Sequence, residues 1–325
     1  MLDVINAVLG AVATKDIIPV LTHVYVTPDG VQGSNGRISI HYPTSTPVDR
    51  AVCLPGRKLQ QALKRGKDHK WNLTDANLTL TAGRLRVRLP IDPAPYPVTA
   101  PSDSALYPIG DAEKFLETLS ILRPFVAKDG SRPWACGVLV KGVYMYATNN
   151  VAIARMKWGG LHGVNVPMDA LDELLRLNKA GHTPQGLRVD DTSLTVHFDT
   201  GVWMRTTLLS NDWPDADAML GDRPETDPLE GDILHELWQG ADAVVPFSAD
   251  EKAPVVEFTE EGLRTREGTV QAAMDIEGLP VGAYRSEVLS LVLNVADRVW
   301  FEMYPKPVRF SAEDDIDGVF VGVRA

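Results

Sequence analysis

One pattern recurs three times along the chain: an apolar residue, a proline, an amphipathic stretch, then two stretches of alternating hydrophobicity. It starts at Leu54-Pro55, at Val166-Pro167 and at Leu279-Pro280, with the prolines 112 and 113 residues apart. A repeat at that interval requires three folding units of one design, each the size of a small domain. The stripes after the prolines are Leu59, Ala62 and Leu63; Leu171, Leu174 and Leu175; and Tyr284, Val288, Leu291 and Val292. Their spacing predicts helices with one buried face, and proline suits a first helical turn.

The stretches that follow alternate with period two around polar or glycine-bearing turns, which predicts hairpins. They are Leu78 to Leu89 around Thr81-Ala82-Gly83, Leu194 to Thr206 around Asp199-Thr200-Gly201, and Val308 to Val323 around an acidic loop. The front half of each unit repeats as well. Helical stripes at Leu2, Ile5, Val8, Leu9 and Val12, at Phe115, Leu116, Leu119 and Leu122, and at Ile233, Leu234, Leu237 and Trp238 each precede strands. Those strands are Val24-Tyr25-Val26 before a Pro28-Asp29-Gly30 turn, Val138-Leu139-Val140 before Tyr144-Met145-Tyr146, and Val255 to Phe258 before Glu261-Gly262. The expected fold class is α+β, with three repeated domains of two helices packed on antiparallel sheets. Proline-rich polar stretches at Pro93 to Ser104 and Leu220 to Pro228 place the domains at 1–104, 105–219 and 220–325.

Charge is uneven. The net charge is −11, which taken alone argues against nucleic-acid binding. Yet Arg57, Lys58, Lys64, Arg65, Lys67 and Lys70 fall within one short run against a single acid, Asp68. From Asp222 to Glu260 acids dominate, facing only Arg223 and Lys252. Either run read by itself is a solvated surface. No apolar run has the length of a membrane span, and the N-terminus lacks the basic region of a signal peptide. Cys53 and Cys136 stand alone, with no disulfide framework or zinc cluster around them, so a cytoplasmic location is expected.

Six segments, in order, carry a resemblance to the bacterial DNA polymerase III beta sliding clamp family. Ile18-Pro19-Val20-Leu21 resembles the family's Leu-Pro-Ile-Leu element, and Leu54-Pro55-Gly56-Arg57-Lys58-Leu59 its Pro-Ala-Arg-Lys-Phe helix start. Arg132 to Val138 resembles an Arg-x-x-Leu-x-Gly strand. Tyr146-Ala147-Thr148-Asn149-Asn150-Val151-Ala152-Ile153-Ala154 resembles the Ala-Thr-Asp-Gly-His-Arg-Leu-Ala turn. Asn211-Asp212-Trp213-Pro214-Asp215 through Met219-Leu220 resembles Gly-x-Phe-Pro-Asp-Tyr. Val319 to Ala325 resembles the Val-Val-Met-Pro-Met-Arg tail. The chain departs from the family at Asn149-Asn150 and Val151-Ala152, at Met168-Asp169, and at Gly221 and Gly322, where prolines are usual. It also begins at the first helix. It is similar to a distant member of bacterial or phage origin.

The resemblance implies a DNA clamp fold closing as a head-to-tail homodimer ring around double-stranded DNA. Helices would line the hole and sheets form the rim. The family has no chemistry of its own: it tethers DNA polymerase and is opened by a clamp loader, both through a short hydrophobic peptide. No cofactor, metal or membrane is implied. Lys15 and Arg57 fall on matched DNA-facing positions. Charge and helical placement add Lys58, Lys64, Arg65, Arg123, Lys128 and Arg132, with Arg176 and Lys179 weaker. The matched peptide-pocket positions are Ala135, Thr148, Val151, Ile153, Leu220, Gly221, Val319, Val321, Gly322, Val323 and Arg324. Truncating Leu220 or Val321 is expected to weaken partners without opening the ring. For each cation the competing assignment is solvated surface, and for each apolar residue it is ordinary core.

Two other functions compete with this one. For an enzyme, His162, His182, His197 and His235 are scattered, no nucleophile, P-loop or metalloprotease motif occurs, and Asp190-Asp191 reads better as a polar turn than as a metal pair. The other is a clamp-fold interaction scaffold that does not encircle DNA, which the poorly basic third repeat favours.

Overall fold

A computed structural model describes every residue except Asp16, Asn211, residues 267–270, Asp314 and Ala325, together with the side chain of His162. Of the residues singled out in the sequence, Asn211, Ala325 and the His162 side chain therefore lie outside the described residues. The chain divides into two compact units. The first is Met1–Leu116 with Asp169–Leu208, and the second is Glu117–Met168 with Leu209–Ala325. The middle third contributes to both. Seven α-helices are described: α1 (Leu2–Val8), α2 (Gly56–Lys64), α3 (Ala112–Leu122), α4 (Met168–Lys179), α5 (Ala216–Leu220), α6 (Asp232–Val244) and α7 (Ser286–Leu293).

The first unit is built on an eight-stranded antiparallel sheet. Its order runs Val52–Pro55, His23–Thr27, Gly30–Ser34, Ile38–Pro43, Trp203–Thr207, Ser193–Phe198, Pro184–Val189, Leu106–Pro108. Residues of the first and second repeats share this sheet where Ile38 pairs with Thr206 and Ile40 with Met204. α1 buries Val4, Ile5, Ala7 and Val8. It comes so close to the sheet that a Cβ on Gly33 would lie 2.3 Å from the Val8 carbonyl oxygen. α2 buries Gly56, Leu59, Ala62 and Leu63. Pro55 is its N-cap and the last residue of a strand, rather than a residue of its first turn. A three-stranded sheet (Lys70–Leu73, Asn77–Ala82, Leu85–Pro90) follows, buried at Leu78, Leu80 and Leu89.

In the eight-stranded sheet Asp190 caps the turn between Pro184–Val189 and Ser193–Phe198. It accepts from the backbone N–H of Thr192 (3.0 Å) and Ser193 (2.8 Å) and from the Ser193 hydroxyl (2.7 Å), and pairs with Arg205 (3.2 Å). Burial pushes the carboxyl up, but these hydrogen bonds outweigh it and hold the pKa at about 2. Asp190 is thus a turn residue. Among the described residues no group of three His, Cys, Asp or Glu side chains is placed to hold a metal ion.

His41, His182 and His197, all in this unit, are held below the ordinary histidine value. Burial is the main cause in each case, and Arg188 adds to it at His197. Below about pH 6.5 the unfolded chain therefore binds more protons than the folded one. Their contribution to stability is full above that pH and lost as pH falls through the depressed folded values. Calorimetry is expected to give a Tm that drops from about pH 7 to 5, and a shallower drop in His197→Asn.

The second unit holds a six-stranded antiparallel sheet in the order Leu229–Glu230, Arg298–Val299, Val308–Ser311, Ile316–Phe320, Ala152–Pro167, Gly137–Thr148. Beside it is a four-stranded sheet in the order Ala273–Asp275, Gly262–Thr265, Val255–Thr259, Gly282–Arg285. α6 buries Leu234, Leu237, Gly240, Ala241 and Val244, and α7 buries Val288, Leu289 and Val292. The core is aromatic: Phe258, Tyr284, Phe301, Phe310 and Phe320 are each at most 1% exposed.

Two expectations are corrected here. Pro280 does not open the third helix: the strand Gly282–Arg285 intervenes and α7 begins at Ser286, with Tyr284 on that strand. Val138 to Val140 and Tyr144 to Tyr146 are not two strands but one, Gly137–Thr148, which passes through Gly142 at φ 61.

Candidate functional site

The cations of the first repeat are presented by α2. Its buried positions leave Arg57, Lys58, Gln61, Lys64 and Arg65 on the opposite, exposed face. Among the described residues none of these four cations is in an ion pair, so their field is not locally cancelled. Lys15 is exposed ahead of the turn Pro19–Thr22, and Lys179 is exposed in the last turn of α4. Arg176 serves the fold instead. Its Nε pairs with Glu173 (2.7 Å), while the two Nη donate to the carbonyls of Asn6 (3.2 Å) and Ala7 (2.6 Å), which fastens α4 to α1. In the second unit Arg123, Lys128 and Arg132 are exposed, and Arg132 donates to Asn150 Oδ1 (3.1 Å) beside the peptide-pocket turn. The helices of the third repeat carry no lysine or arginine: α6 bears Asp232, Glu236 and Asp242, and α7 bears Glu287.

Sequence reasoning missed a second basic surface. Arg84, Arg86 and Arg88 are exposed and alternate with the apolar side of the hairpin. Arg86 lies opposite Thr81, and Thr81 opposite Lys70, so these side chains share one face of the small sheet. The period-two arginines were visible, but they interrupt a hydrophobic alternation and read as its polar side.

The apolar pocket residues converge only in part. Ile153 and Val319 pair across neighbouring strands, and both join Leu220 in one buried cluster with Leu139, Tyr146 and Ala216. Tyr144 and Trp213 pack against it, half-buried. Val321 beside it is 44% exposed. Thr148 sits in the adjoining turn, its hydroxyl donating to the Ala152 carbonyl (2.8 Å), with Val151 half-buried above. Ala135 is buried outside the cluster. Gly221 caps α5 at φ 63 and is exposed, as is Arg324. In the tail, the Val323 N–H donates to the Ala283 carbonyl (2.7 Å) and its carbonyl accepts from the Tyr304 hydroxyl (2.7 Å).

Leu139, Tyr144, Tyr146, Trp213 and Ala216 were not foreseen. Leu139 and Tyr146 are seven residues apart in one strand, so strict alternation puts them on opposite faces. The break at Gly142 restores them to one face.

A charged bracket positions α5 over this cluster. Arg155 reaches Asp217 (2.8 Å) and Asp317 (2.9 Å) and lies 4.7 Å from the centre of the Tyr144 ring. Arg309 is only 7% exposed in its side chain. It binds Asp317 (2.7 Å) and the carbonyls of Leu220 (3.1 Å) and Gly221 (2.9 Å). Tyr146 donates to Asp217 (2.9 Å), and burial, followed by that carboxylate, pushes its hydroxyl up to about 12, so it remains a donor at neutral pH.

Antiparallel sheets with open edges in both units, an exposed cationic α2 in the first and an apolar cluster under a short helix in the second make up a DNA clamp fold. The comparisons identify the type. A Caulobacter crescentus beta sliding clamp superposes with a TM-score of 0.86 at 20% identity, over 100% of this chain and 97% of the other. A Pseudomonas aeruginosa DNA polymerase sliding clamp gives 0.86 at 17%, and a Thermotoga maritima DNA polymerase III beta subunit 0.81 at 15%, with the same coverage. The fold is that of the bacterial DNA polymerase III beta sliding clamp, at a divergence that leaves little sequence identity. No family model matches the sequence, and no curated protein does. No described helix is long and apolar enough to cross a membrane.

Proposed function

We propose that the chain is a DNA sliding clamp, acting in the cytoplasm without chemistry of its own. Three domains (1–104, 105–219 and 220–325) close head-to-tail with a second copy around duplex DNA. The observation that carries this reading is the likeness to beta sliding clamps over the whole chain, joined to an exposed cationic α2 in a protein of net charge −11. Few, sequence-blind phosphate contacts suit sliding, because topology rather than affinity holds the ring.

Two open sheet edges support head-to-tail closure. One is Leu85–Pro90, flanked by Arg84 and bearing Arg86 and Arg88. The other is Ala273–Asp275, exposed at the edge of the four-stranded sheet within the acidic third repeat. A heterologous contact between opposite charges closes a ring when the rotation fits, and it removes both edges. Sedimentation is expected to give twice 35.5 kDa, and Arg86→Glu with Arg88→Glu to give single chains. A wild-type mass of one chain at all concentrations contradicts the ring.

The cluster of Ile153, Leu220 and Val319 is the proposed seat for the hydrophobic peptide of a polymerase or clamp loader. A Bartonella birtlesii sliding clamp has been solved bound to griselimycin, which provides a probe. Val321→Asp is expected to weaken griselimycin binding at least tenfold by calorimetry and to abolish stimulation of a cognate polymerase on primed circular DNA. Unchanged binding rejects the pocket. A processivity assay that fails while DNA is never encircled favours the scaffold reading instead.

A further inference from the structure

The turn beside the apolar pocket has a twin in the first unit. In the second unit Asn149 Oδ1 accepts from the N–H of Val151 (3.0 Å) and Ala152 (2.8 Å), and Thr148 Oγ1 accepts from Asn150 N–H (3.1 Å). In the first, Asn35 Oδ1 accepts from Arg37 (3.0 Å) and Ile38 (2.8 Å), and Ser34 Oγ accepts from Gly36 N–H (3.2 Å). Asn150 and Gly36 both have positive φ, 71 and 85. The strands that follow keep one register: Ala152 opposite Phe320 and Ile153 opposite Val319, Ile38 opposite Thr206 and Ser39 opposite Arg205. Each turn belongs to a unit with an aromatic-proline linker, Trp213-Pro214 and Tyr96-Pro97. The repeat therefore puts Arg37 in the place of Val151, Ser39 in that of Ile153, Arg205 in that of Val319 and Thr207 in that of Val321.

The twin is an open cavity of 420 Å³. Its lining includes Arg37, Arg205, Ser34, Ser39, Thr99 and Thr207, and no carboxylate is among the lining residues. The wall is preformed by the linker: Gln32 grips the backbone of Thr99 at both its carbonyl (2.7 Å) and its N–H (3.3 Å), and Arg205 donates to the Ala100 carbonyl (2.7 Å). Arg205 is also held by Asp190 (3.2 Å). Arg37 is freer: its side chain is 61% exposed and its nearest acid, Asp169, lies 3.7 Å away. Ser39 already bonds Ser34 (2.9 Å) and Thr99 (3.0 Å), so the group left to recruit a ligand is the Arg37 guanidinium: an apolar anchor seated here desolvates it, whereas a carboxylate pairs with it.

We infer that this cavity is a second docking site, built on the same turn as the apolar pocket but selective for an extended acidic peptide segment. The repeat gives the chain two seats of opposite chemistry, so one partner type takes the apolar seat and another the polar one. This inference does not depend on the chain encircling DNA.

The test uses the intact chain and a fluorescein-labelled hexaglutamate peptide, with hexalysine and inorganic phosphate as comparison arms. Anisotropy is expected to report saturable binding of hexaglutamate alone. Arg37→Glu is expected to weaken it about fivefold or more, as is raising salt to about 0.5 M. Thr207→Val, which leaves the charges in place, weakens it less. Griselimycin binding is expected to be the same in Arg37→Glu as in wild type, which separates this site from the apolar pocket and reports that the variant is folded. The inference is overturned if hexaglutamate does not bind, if Arg37→Glu leaves its affinity unchanged, or if phosphate displaces it at equal affinity, since the cavity would then take a free anion and not a peptide.

Discussion

Replacing Arg57, Lys58, Lys64 and Arg65 together by glutamate is expected to weaken direct DNA binding about a hundredfold at low salt while leaving the fold intact. All four lie on the exposed face of α2, away from Leu59, Ala62 and Leu63, and none is in an ion pair among the described residues. Each neutralised phosphate contributes about −0.9 to the slope of log affinity against log salt, so four contacts in one copy contribute about −3.6. That slope corresponds to about a hundredfold change in affinity between roughly 50 and 200 mM salt. The variant is expected to lose that dependence and, at low salt, at least that factor in affinity. α6 and α7 offer no lysine or arginine to compensate. Fluorescence titration of duplex DNA across a salt series measures both quantities. A slope unchanged by the four substitutions places the DNA contacts elsewhere.

The second large effect is structural. Arg309→Ala removes the cation that holds Asp317 and the carbonyls of Leu220 and Gly221. Breaking one side of a buried charged network leaves the other side without its partner, at a cost of about 3 kcal/mol or more. Asp317 keeps Arg155 and some solvent, which holds the loss near the lower end of that range. Denaturant unfolding of the variant is expected to show the second unit destabilised by that amount. Because the same guanidinium fixes the end of α5, griselimycin affinity is expected to fall with it. Conversely, Asp317→Asn with Arg309→Met, which removes both charges, recovers much of the stability. A loss below about 1 kcal/mol for Arg309→Ala contradicts the bracket.

Much of the fold was legible because a repeat states its own design three times. The stripes at Leu59, Ala62 and Leu63 and at Leu171 and Leu174 became the buried faces of α2 and α4, each entered from a strand that ends in proline. The third copy misled: Pro280 matched the spacing by position but not by structure, since a strand lies between it and α7. A single interval cannot tell a helix start from a loop that happens to hold a proline. The long strand through Gly142 was read as two because a change of phase looks like a turn when only alternation is visible.

For the candidate sites, Ile153, Leu220 and Val319 were placed by their resemblance to a family and converge in space. Their companions Leu139, Tyr146 and Trp213 were seen only as strand and linker residues and not assigned to the pocket, because cross-strand and long-range packing leaves no local periodicity. Arg176 shows the converse limit. A cation on a predicted helix reads as a phosphate ligand until the carbonyls of Asn6 and Ala7 come into view beside it. The twin turns at Asn35 and Asn149 were hidden for a further reason: their hydrogen bonds are the same, but the residues around them have exchanged apolar for polar character.

The ring itself is tested without a loader by threading. Purified protein is mixed with linear duplex DNA whose ends are free, blocked at one end, or blocked at both ends with streptavidin. A closed ring is expected to pass onto the DNA over a free end, to be retained when the ends are blocked after mixing, and to be excluded when both are blocked beforehand. Binding that is indifferent to the state of the ends contradicts a clamp and means that the protein holds DNA by fixed contacts.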